Sequence, residues 1–254
     1  MTQPGLWNHR KIVWFSCGAA SACAAKIAVT DDPEVQVMYC DTSVNESEDN
    51  NRFLADVERW IGCNIQRLRS NEFPSMNIYD VFRKRKYIVG RLGAPCTQAL
   101  KKEVRWDIEE VGDTHIFGYT ADEEKRIKRF VANNPELLLE FPLRDRGITK
   151  AACYEIVKAA GIELPLLYRQ GYNNNNCIGC VKGGIGYWNK IRVDYPDAFQ
   201  KMAALERELG AKICKLTIDG KRELIYLDEL PPNVGDHKSE PEMECGPMCQ
   251  VEPE

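Results

Sequence analysis

Two cysteines separated by two residues, Cys177 and Cys180, are the side chains in this sequence best placed to do chemistry. On a tight turn this spacing can direct both sulfur atoms at one metal ion or cluster, and it is also the spacing of dithiols that exchange disulfides. Gly183 and Gly184 follow and allow backbone amides to approach the sulfurs closely. A run of asparagines precedes the pair and favours a loop. Three interpretations stay open, namely a metal or cluster site, a redox dithiol and a pair without function.

The chain of 254 residues contains eleven cysteines, which is a high count. The first ten residues lack the apolar core of a signal peptide, so we expect a cytoplasmic protein whose cysteines stay reduced. Metal binding or thiol chemistry then explains the count better than a disulfide framework. Cys23, Cys63, Cys153 and Cys214 lie in apolar patterns and are predicted to be small core residues. The cysteines at turns or near the chain end are Cys17, Cys40, Cys96, Cys177, Cys180, Cys245 and Cys249.

Composition describes an ordinary globular protein, with 44% hydrophobic and 28% charged residues. The longest apolar runs are far too short to span a bilayer, so no membrane partner is expected. The net charge of −4 argues against a nucleic-acid coat protein, although a local basic patch could still bind phosphates.

An apolar run, Ile12–Phe15, is followed at once by a turn of small residues and an alanine-rich segment. This pattern predicts a buried strand, a tight turn and a helix, and the first amides and the dipole of such a helix favour a phosphate. Gly18 would permit close backbone approach, and Ser16 and Ser21 could donate hydroxyl groups to phosphate oxygens. A plain strand–helix turn is the alternative.

Polar residues end two further predicted strands. Asp41 and Thr42 follow the strand Val35–Tyr39, and Thr120 follows the strand His115–Tyr119. Acidic and hydroxyl side chains at the carboxyl ends of parallel strands suit contacts to the ribose or base of a nucleotide.

Cys96 opens another predicted helix, whose first turns carry Lys101 and Lys102. A thiol at a helix N-terminus near lysines is expected to have a lowered pKa, which suits a ligand or a nucleophile.

Strands alternate with helices from Lys11 to Ala160, which predicts a three-layer α/β/α fold around a mostly parallel five-stranded sheet. The predicted strands are Ile12–Phe15, Val35–Tyr39, Ile65–Leu68, His115–Tyr119 and Leu137–Phe141. A C-terminal extension should contain a helix over Pro196–Leu209 and a hairpin of Ile213–Ile218 and Glu223–Leu227. We therefore divide the chain into a nucleotide-binding domain (1–190), a helix-and-hairpin extension (191–230) and a flexible tail (231–254).

The order of these motifs resembles that of the phosphoadenosine phosphosulfate (PAPS) reductase family, within the adenine-nucleotide α-hydrolase superfamily. The segments that resemble family motifs are Ser16–Ser21, Asp41-Thr42 with Glu46, Cys96 with Lys101, Pro142-Leu143 with Asp145 and Thr149, Leu167–Cys180, and Glu244-Cys245-Gly246. Each motif is weak alone, and their shared order carries the resemblance.

The sequence departs from the family pattern at four positions. Ala20 stands where many relatives have an aspartate linked to pyrophosphate and Mg²⁺ handling, and Thr97 stands where cluster-bearing reductases have a second adjacent cysteine. Met248 replaces the usual histidine of the tail motif, and Cys249 is added. The resemblance thus implies three ligands, Cys96, Cys177 and Cys180, for an iron–sulfur cluster that usually has four ligands. The tail, through Cys249 or Cys245, supplies the fourth ligand, or one iron stays open.

The resemblance implies a sulfonucleotide reductase that binds an adenine sulfonucleotide and a 4Fe–4S cluster, with Mg²⁺ as a further candidate. The Cys245 thiolate would attack the sulfonate sulfur, and thioredoxin or glutathione would release sulfite. Lys101 and Arg126 would offset the developing negative charge.

Two other functions stay open. In the first, an ATP-pyrophosphatase-type sulfur transferase would use a three-cysteine cluster to thiolate a nucleic acid or a small molecule. Thr97 favours this reading, whereas Ala20 and the tail motif count against it. In the second, the chain is a non-catalytic module that binds a nucleotide and a cluster.

Overall fold

Five parallel strands form the main sheet of the computed structural model, which describes residues 10–90, 93–218, 220–241, 243 and 245. The strands are β1 (Lys11–Phe15), β2 (Gln36–Cys40), β3 (Gln66–Leu68), β4 (Thr114–Ile116) and β5 (Leu138–Glu140), in the spatial order β3-β2-β1-β4-β5. Val13 of β1 pairs with Val37 on one side and with Ile116 on the other. The predicted α/β class and the five parallel strands are confirmed, with strand ends displaced by a few residues.

The central position of β1 follows from its sequence. Ile12 and Val13 are completely buried, as expected for a strand covered by helices on both faces. Trp14 also donates its indole N–H to His115 Nδ1 at 3.0 Å, which fastens β1 to β4 inside the core.

The helices are α1 (Ala19–Asp31), α2 (Asp49–Ile61), α3 (Ile78–Arg85), α4 (Pro95–Thr97), α5 (Glu103–Trp106), α6 (Glu124–Ala132), α7 (Pro142–Asp145), α8 (Lys150–Ala159), α9 (Leu166–Arg169), α10 (Ile185–Asp194) and α11 (Pro196–Leu209). A wide π-type turn, Gln98–Lys102, connects α4 to α5. The antiparallel hairpin consists of β6 (Cys214–Ile218) and β7 (Lys221–Ile225), so the predicted hairpin is confirmed with its second strand starting two residues earlier. Among the described helices, none is both long and apolar enough to cross a membrane.

The described chain forms two compact units that alternate along the sequence. Unit one comprises the residues up to Asp41, Glu48–Leu68 and Val104–Leu166, and it contains the parallel sheet. Unit two comprises Thr42–Ser47, Arg69–Glu103 and the residues from Leu167 onward. The predicted division into domains at residues 190 and 230 stays a prediction, because the two units are defined by their compactness and not by independent folding.

Unit two has its own apolar core, in which Phe82, Trp188 and Met202 are fully buried. α10 and α11 pack on each other and the hairpin joins this core through Cys214 and Ile225. Three of the four predicted core cysteines, Cys23, Cys153 and Cys214, are buried, and Cys63 is partly exposed.

The start of the predicted flexible tail makes specific contacts with α10. The Asn189 side chain donates to the carbonyls of Pro231 and Val234 at 2.9 and 2.8 Å. A short helical turn, His237–Ser239, follows. Residues 234–241, 243 and 245, which we call the C-terminal strap, therefore lead from α10 to Cys245.

Candidate functional site

The turn between β1 and α1 lies at the topological switch point of the sheet in unit one. The chain runs from β1 to β2 on one side and reaches β4 on the other side only later. In open parallel sheets, ligands bind at the carboxyl ends of the strands where the strand order reverses in this way. The first amides of α1 have no partner within the helix and carry its positive dipole end. This is the predicted place for a phosphate.

Both predicted phosphate-loop serines brace this turn. Ser21 Oγ accepts hydrogen bonds from the Ser16 amide at 3.1 Å and the Ser16 hydroxyl at 3.2 Å, and it donates to the Gly18 carbonyl at 2.9 Å. Ser16 is exposed and Ser21 is buried. The serines hold the shape of the turn, and their contacts to a nucleotide stay a prediction.

The backbone of the turn is unusual at Cys17, next to the Gly18 that the sequence singled out for close backbone approach. Cys17 has a left-handed backbone with φ of +54°, whereas Gly18 caps α1 with φ of −103°. Gly118, just after β4, was missed by the sequence analysis. A Cβ atom on Gly118 would lie 2.8 Å from the backbone N and Cα of Ser21, so only glycine lets the segment after β4 meet the first turn of α1. The sole sequence signal was a glycine at the end of an apolar strand.

Thr120 and Arg126 meet at Glu123 in unit one. The amide and hydroxyl of buried Thr120 donate to Glu123 Oε2 at 2.8 and 3.0 Å. Arg126 forms an ion pair with Glu123 and lies 4.3 Å from the centre of the Tyr119 ring. The structure thus gives both residues local partners near the carboxyl end of β4, and their nucleotide and catalytic roles stay predictions.

Asp41 and Thr42 are both buried, directly after β2. The Asp41 amide donates to the Leu68 carbonyl at 2.8 Å and continues the pairing of β2 with β3. Thr42, the first residue of unit two, donates its hydroxyl to Glu46 Oε1 at 2.6 Å.

The three predicted cluster cysteines lie together in unit two, and Cys245 joins them. Cys96 lies on α4, and Cys177 and Cys180 lie on the loop between α9 and α10. The charge of Cys245 raises the pKa values of Cys96, Cys177 and Cys180. The charge of Cys180 also raises the pKa values of Cys96 and Cys177. The four thiols are therefore near enough for their charges to act on one another. Cys249 and the tail-motif residues Glu244, Gly246 and Met248 lie outside the described residues.

Tyr187, on the first turn of α10, closes the cysteine loop. Its hydroxyl accepts a hydrogen bond from the Cys180 amide at 2.9 Å and donates to the Cys177 carbonyl at 3.3 Å. Tyr187 is buried, so these bonds are shielded from water. The sequence analysis missed this residue because the tyrosine follows the loop within an unremarkable apolar helix.

Asn45 anchors the same loop from another segment of unit two. Its carbonyl accepts from the Ile178 amide at 2.9 Å. Its side chain accepts from the Ile78 amide at 3.0 Å and donates to the Met76 carbonyl at 2.8 Å. Asn45 was not predicted, because nothing in the sequence links a residue after β2 to the cysteine loop.

Cys245 is held at the thiol site by α4 and by the π-type turn. Its sulfur lies 3.8 Å from Thr97 Oγ1, and its carbonyl accepts from Lys101 Nζ at 3.3 Å. Two residues before Cys245, the Met243 carbonyl accepts from the Asn176 side chain at 3.3 Å. Thr97, which stands where cluster-bearing reductases have a second cysteine, thus contacts the Cys245 sulfur.

The lowered pKa predicted for Cys96 is wrong. Burial raises its pKa, and the neighbouring thiols add to this effect more than Lys182 and Lys101 offset it. Burial also raises the pKa of Cys180, to about 11, and that of Cys177. The pKa of Cys245 is lowered, because Lys101, Lys182 and the Thr97 hydroxyl outweigh its burial.

An iron–sulfur cluster suits the donors in unit two. Among the described residues, no group of three or more histidine, cysteine, aspartate or glutamate side chains forms a site for a metal ion. A cluster contains several irons and each thiolate can bind a different one, so its ligands need not converge on one point. Thiolates are also the ligands that such clusters prefer. Cys96, Cys177 and Cys180 offer donors of the type that such a cluster takes, and their role as its ligands stays a prediction.

Comparison of the chain with protein-family models gave no match, and a search of curated proteins gave none either. The class is therefore defined by the fold alone. A parallel five-stranded sheet of order 3-2-1-4-5 with flanking helices is consistent with a Rossmann-like, nucleotide α-hydrolase type of fold.

Proposed function

We propose that this chain binds an adenine sulfonucleotide and reduces it to sulfite, with Cys245 as the nucleophile, as the resemblance to the PAPS reductase family implies. The observation that carries the proposal is the placement of Cys245. This residue, far along the chain from Cys96 and the cysteine loop, contacts Thr97 and Lys101, and its charge acts on the thiols of the three other cysteines. Its lowered pKa supports a thiolate, which is the reactive form of cysteine.

The nucleotide part of the proposal rests on unit one. The α1 N-terminus and the turn at the switch point offer backbone amides to a phosphate. Gly118 brings the backbone after β4 against this first turn of α1, at the same end of the sheet.

The reaction would proceed in three steps. First, the Cys245 thiolate attacks the sulfonate sulfur, a sulfur–sulfur bond forms, and the sulfur–oxygen bond breaks as the nucleotide phosphate leaves with its electron pair. Second, a thiol donor such as thioredoxin or glutathione attacks the Cys245 sulfur, and sulfite leaves with the electron pair of the sulfur–sulfur bond. Another donor thiol then displaces Cys245 as a free thiol, so the donor ends as a disulfide.

Lys101 has two tasks in this scheme. Its amine fixes the Cys245 backbone through the carbonyl, and its charge stabilises the thiolate. Arg126, in unit one, is a candidate for countering the charge of the sulfonate. When bound, the cluster would add positive potential for the same purpose, with Cys96, Cys177 and Cys180 holding it.

A sulfur transferase that cleaves ATP is the second candidate. The observation in its favour is Thr97, which offers a hydroxyl and not a thiol next to Cys96. Such an enzyme would release pyrophosphate and pass sulfur to a nucleic acid or a small molecule.

The test supplies anaerobically purified protein with radiolabelled sulfonucleotide and a dithiol, and in parallel with ATP. We expect sulfite from the sulfonucleotide and at least a roughly hundredfold lower rate for Cys245→Ser, since loss of a nucleophile removes the covalent route. Cys63→Ser, a partly exposed cysteine in unit one, is the matched control and should keep the wild-type rate.

Each outcome separates the candidates. Sulfite release by Cys245→Ser at the wild-type rate contradicts the role of Cys245 as the nucleophile. Loss of iron in that variant identifies Cys245 as a cluster ligand. Pyrophosphate without sulfite supports the transferase. Neither product, from protein that binds iron and nucleotide, leaves the non-catalytic module.

A further inference from the structure

The carboxylate of Glu240 caps the N-terminus of α10. Its Oε1 accepts from the Gly186 amide at 2.6 Å, and its Oε2 accepts from the Tyr187 amide at 3.0 Å. A carboxylate at this end of a helix satisfies amides that have no partner within the helix and interacts favourably with the dipole. The cap comes from the C-terminal strap, more than fifty residues further along the chain.

Glycines on both sides make this contact close. A Cβ atom on Gly184 would lie 2.4 Å from Glu240 Oε1, and one on Gly186 would lie 2.5 Å from the His237 amide nitrogen. On the strap side, a Cβ atom on Gly235 would lie 2.5 Å from the Gly186 nitrogen. Glycine in a helical turn costs about 1 kcal/mol relative to alanine. The glycines therefore lower the helical stability of the first turn of α10 at the place where the strap packs.

The docked turn is also the one that shapes the cysteine loop. The Tyr187 amide donates to Glu240. The hydroxyl of the same residue closes the loop, because it bonds the Cys180 amide and the Cys177 carbonyl. Beyond Glu240, the strap is fixed again where Asn176 of the loop donates to the Met243 carbonyl.

We propose that Glu240 is a positioning residue that sets, through one helical turn, both the place of Cys245 and the shape of the cysteine loop. Glu240 lies five residues before Cys245, and both ends of this short stretch are bonded to the structure that carries the thiols. Loss of the carboxylate removes the anchor of the strap on α10, so that the position of Cys245 depends on its own contacts with Thr97 and Lys101 and on the bond from Asn176 to the Met243 carbonyl. The inference rests on the proposed function only for what Cys245 does once it is in place.

The test measures alkylation of Cys245 by iodoacetamide in the reduced full-length protein, read by mass spectrometry of its peptide. Cys63, partly exposed in unit one, is the internal reference, since general destabilisation raises both rates. We expect Glu240→Ala to raise the ratio of Cys245 to Cys63 labelling about tenfold, and Glu240→Gln, which keeps one acceptor oxygen, to raise it less. Hydrogen exchange of the Gly186 and Tyr187 amides should accelerate in the same order.

Glu229→Ala is the matched control. Glu229 is also a glutamate of unit two that accepts from a backbone amide, that of Tyr226 at 3.2 Å, yet it lies outside the strap. It should leave the labelling ratio unchanged. A ratio within twofold of wild type for both Glu240 variants overturns the inference, and Glu240→Gln decides the matter if Glu240→Ala does not fold. Because no turnover is measured, failure of the proposed reductase activity leaves this result unaffected.

Discussion

The phenol hydroxyl of Tyr187 forms hydrogen bonds with two backbone groups of the cysteine loop, the Cys180 amide and the Cys177 carbonyl. A loop that presents thiols cannot use a regular ladder of backbone hydrogen bonds, so its buried amides and carbonyls need other partners. Tyr187 supplies them from a helix, where its position is fixed by the packing of Trp188 beside it. The spacing of Cys177 and Cys180 was visible in the sequence, whereas this partner was not, because it depends on how α10 folds back on the loop.

Tyr187→Phe should therefore weaken unit two while leaving its apolar packing intact. The Cys180 amide would be buried without its partner, and leaving such a group unsatisfied costs about 1–3 kcal/mol. The free energy of unfolding from urea titration measures the loss. Tyr195→Phe is the control, since its partly exposed hydroxyl donates to the Gln170 side chain, and we expect a change of about 0.5 kcal/mol or less. Equal effects of the two substitutions would contradict the structural role of Tyr187.

At the scale of elements, Glu206 joins α11 to the segments on either side of the hairpin. Its fully buried carboxylate accepts from the Ile213 amide at 2.7 Å and from the Leu227 amide at 2.6 Å. Burial raises the pKa of Glu206 to about 7, from an ordinary value of 4.5, although the two amides act in the opposite direction. The folded state thus holds this proton more tightly than the unfolded chain does.

The sign of the pH dependence follows from that difference. Between pH 4.5 and 7 the unfolded carboxyl group loses its proton first, so this group's contribution to stability is complete below pH 4.5 and declines up to about pH 7. The decline amounts to about 3 kcal/mol. We expect Glu206→Gln to remove it, so that wild type loses stability relative to the variant as pH rises through this range. Urea titrations at several pH values measure the difference. Glu208→Gln, on the exposed side of α11, is the control and should track wild type at every pH. A wild-type curve parallel to that of Glu206→Gln would show that Glu206 does not titrate as described.

Most elements could be predicted from local sequence, and their connections could not. The apolar run of β1 and the alanine-rich segment of α1 each fix an element through nearby residues. The Glu240 cap and the Gly118 contact join residues that only the tertiary fold brings together. Cys96 shows the same limit, because its helix-terminal position predicted a low pKa while burial, a tertiary property, raises it.

For the molecule as a whole, the two units divide the proposed chemistry. The switch point and the turn predicted to bind a phosphate belong to unit one, and Cys96, Cys177, Cys180 and Cys245 belong to unit two. Each unit has its own buried side chains, Ile12 and Val13 in one and Trp188 and Met202 in the other. A ligand that binds only the folded form of a unit stabilises that unit according to its concentration and affinity.

Hydrogen exchange should therefore assign each ligand to its unit. Reconstitution with iron and sulfide under anaerobic conditions should slow exchange of the Ile178 and Cys180 amides, since the loop that carries them would bind the cluster. Chelation of the iron should reverse this. An adenine nucleotide added alone should instead slow the amides of the α1 N-terminus, from Gly18 to Ser21, and at a hundredfold excess over its dissociation constant the stabilisation would be about 2.7 kcal/mol. Ile178 and Cys180 serve as the control for the nucleotide, and the α1 amides as the control for iron. If iron does not slow exchange in the cysteine loop, its assignment to unit two is contradicted. If the nucleotide does not slow exchange at the α1 N-terminus, its assignment to unit one is contradicted.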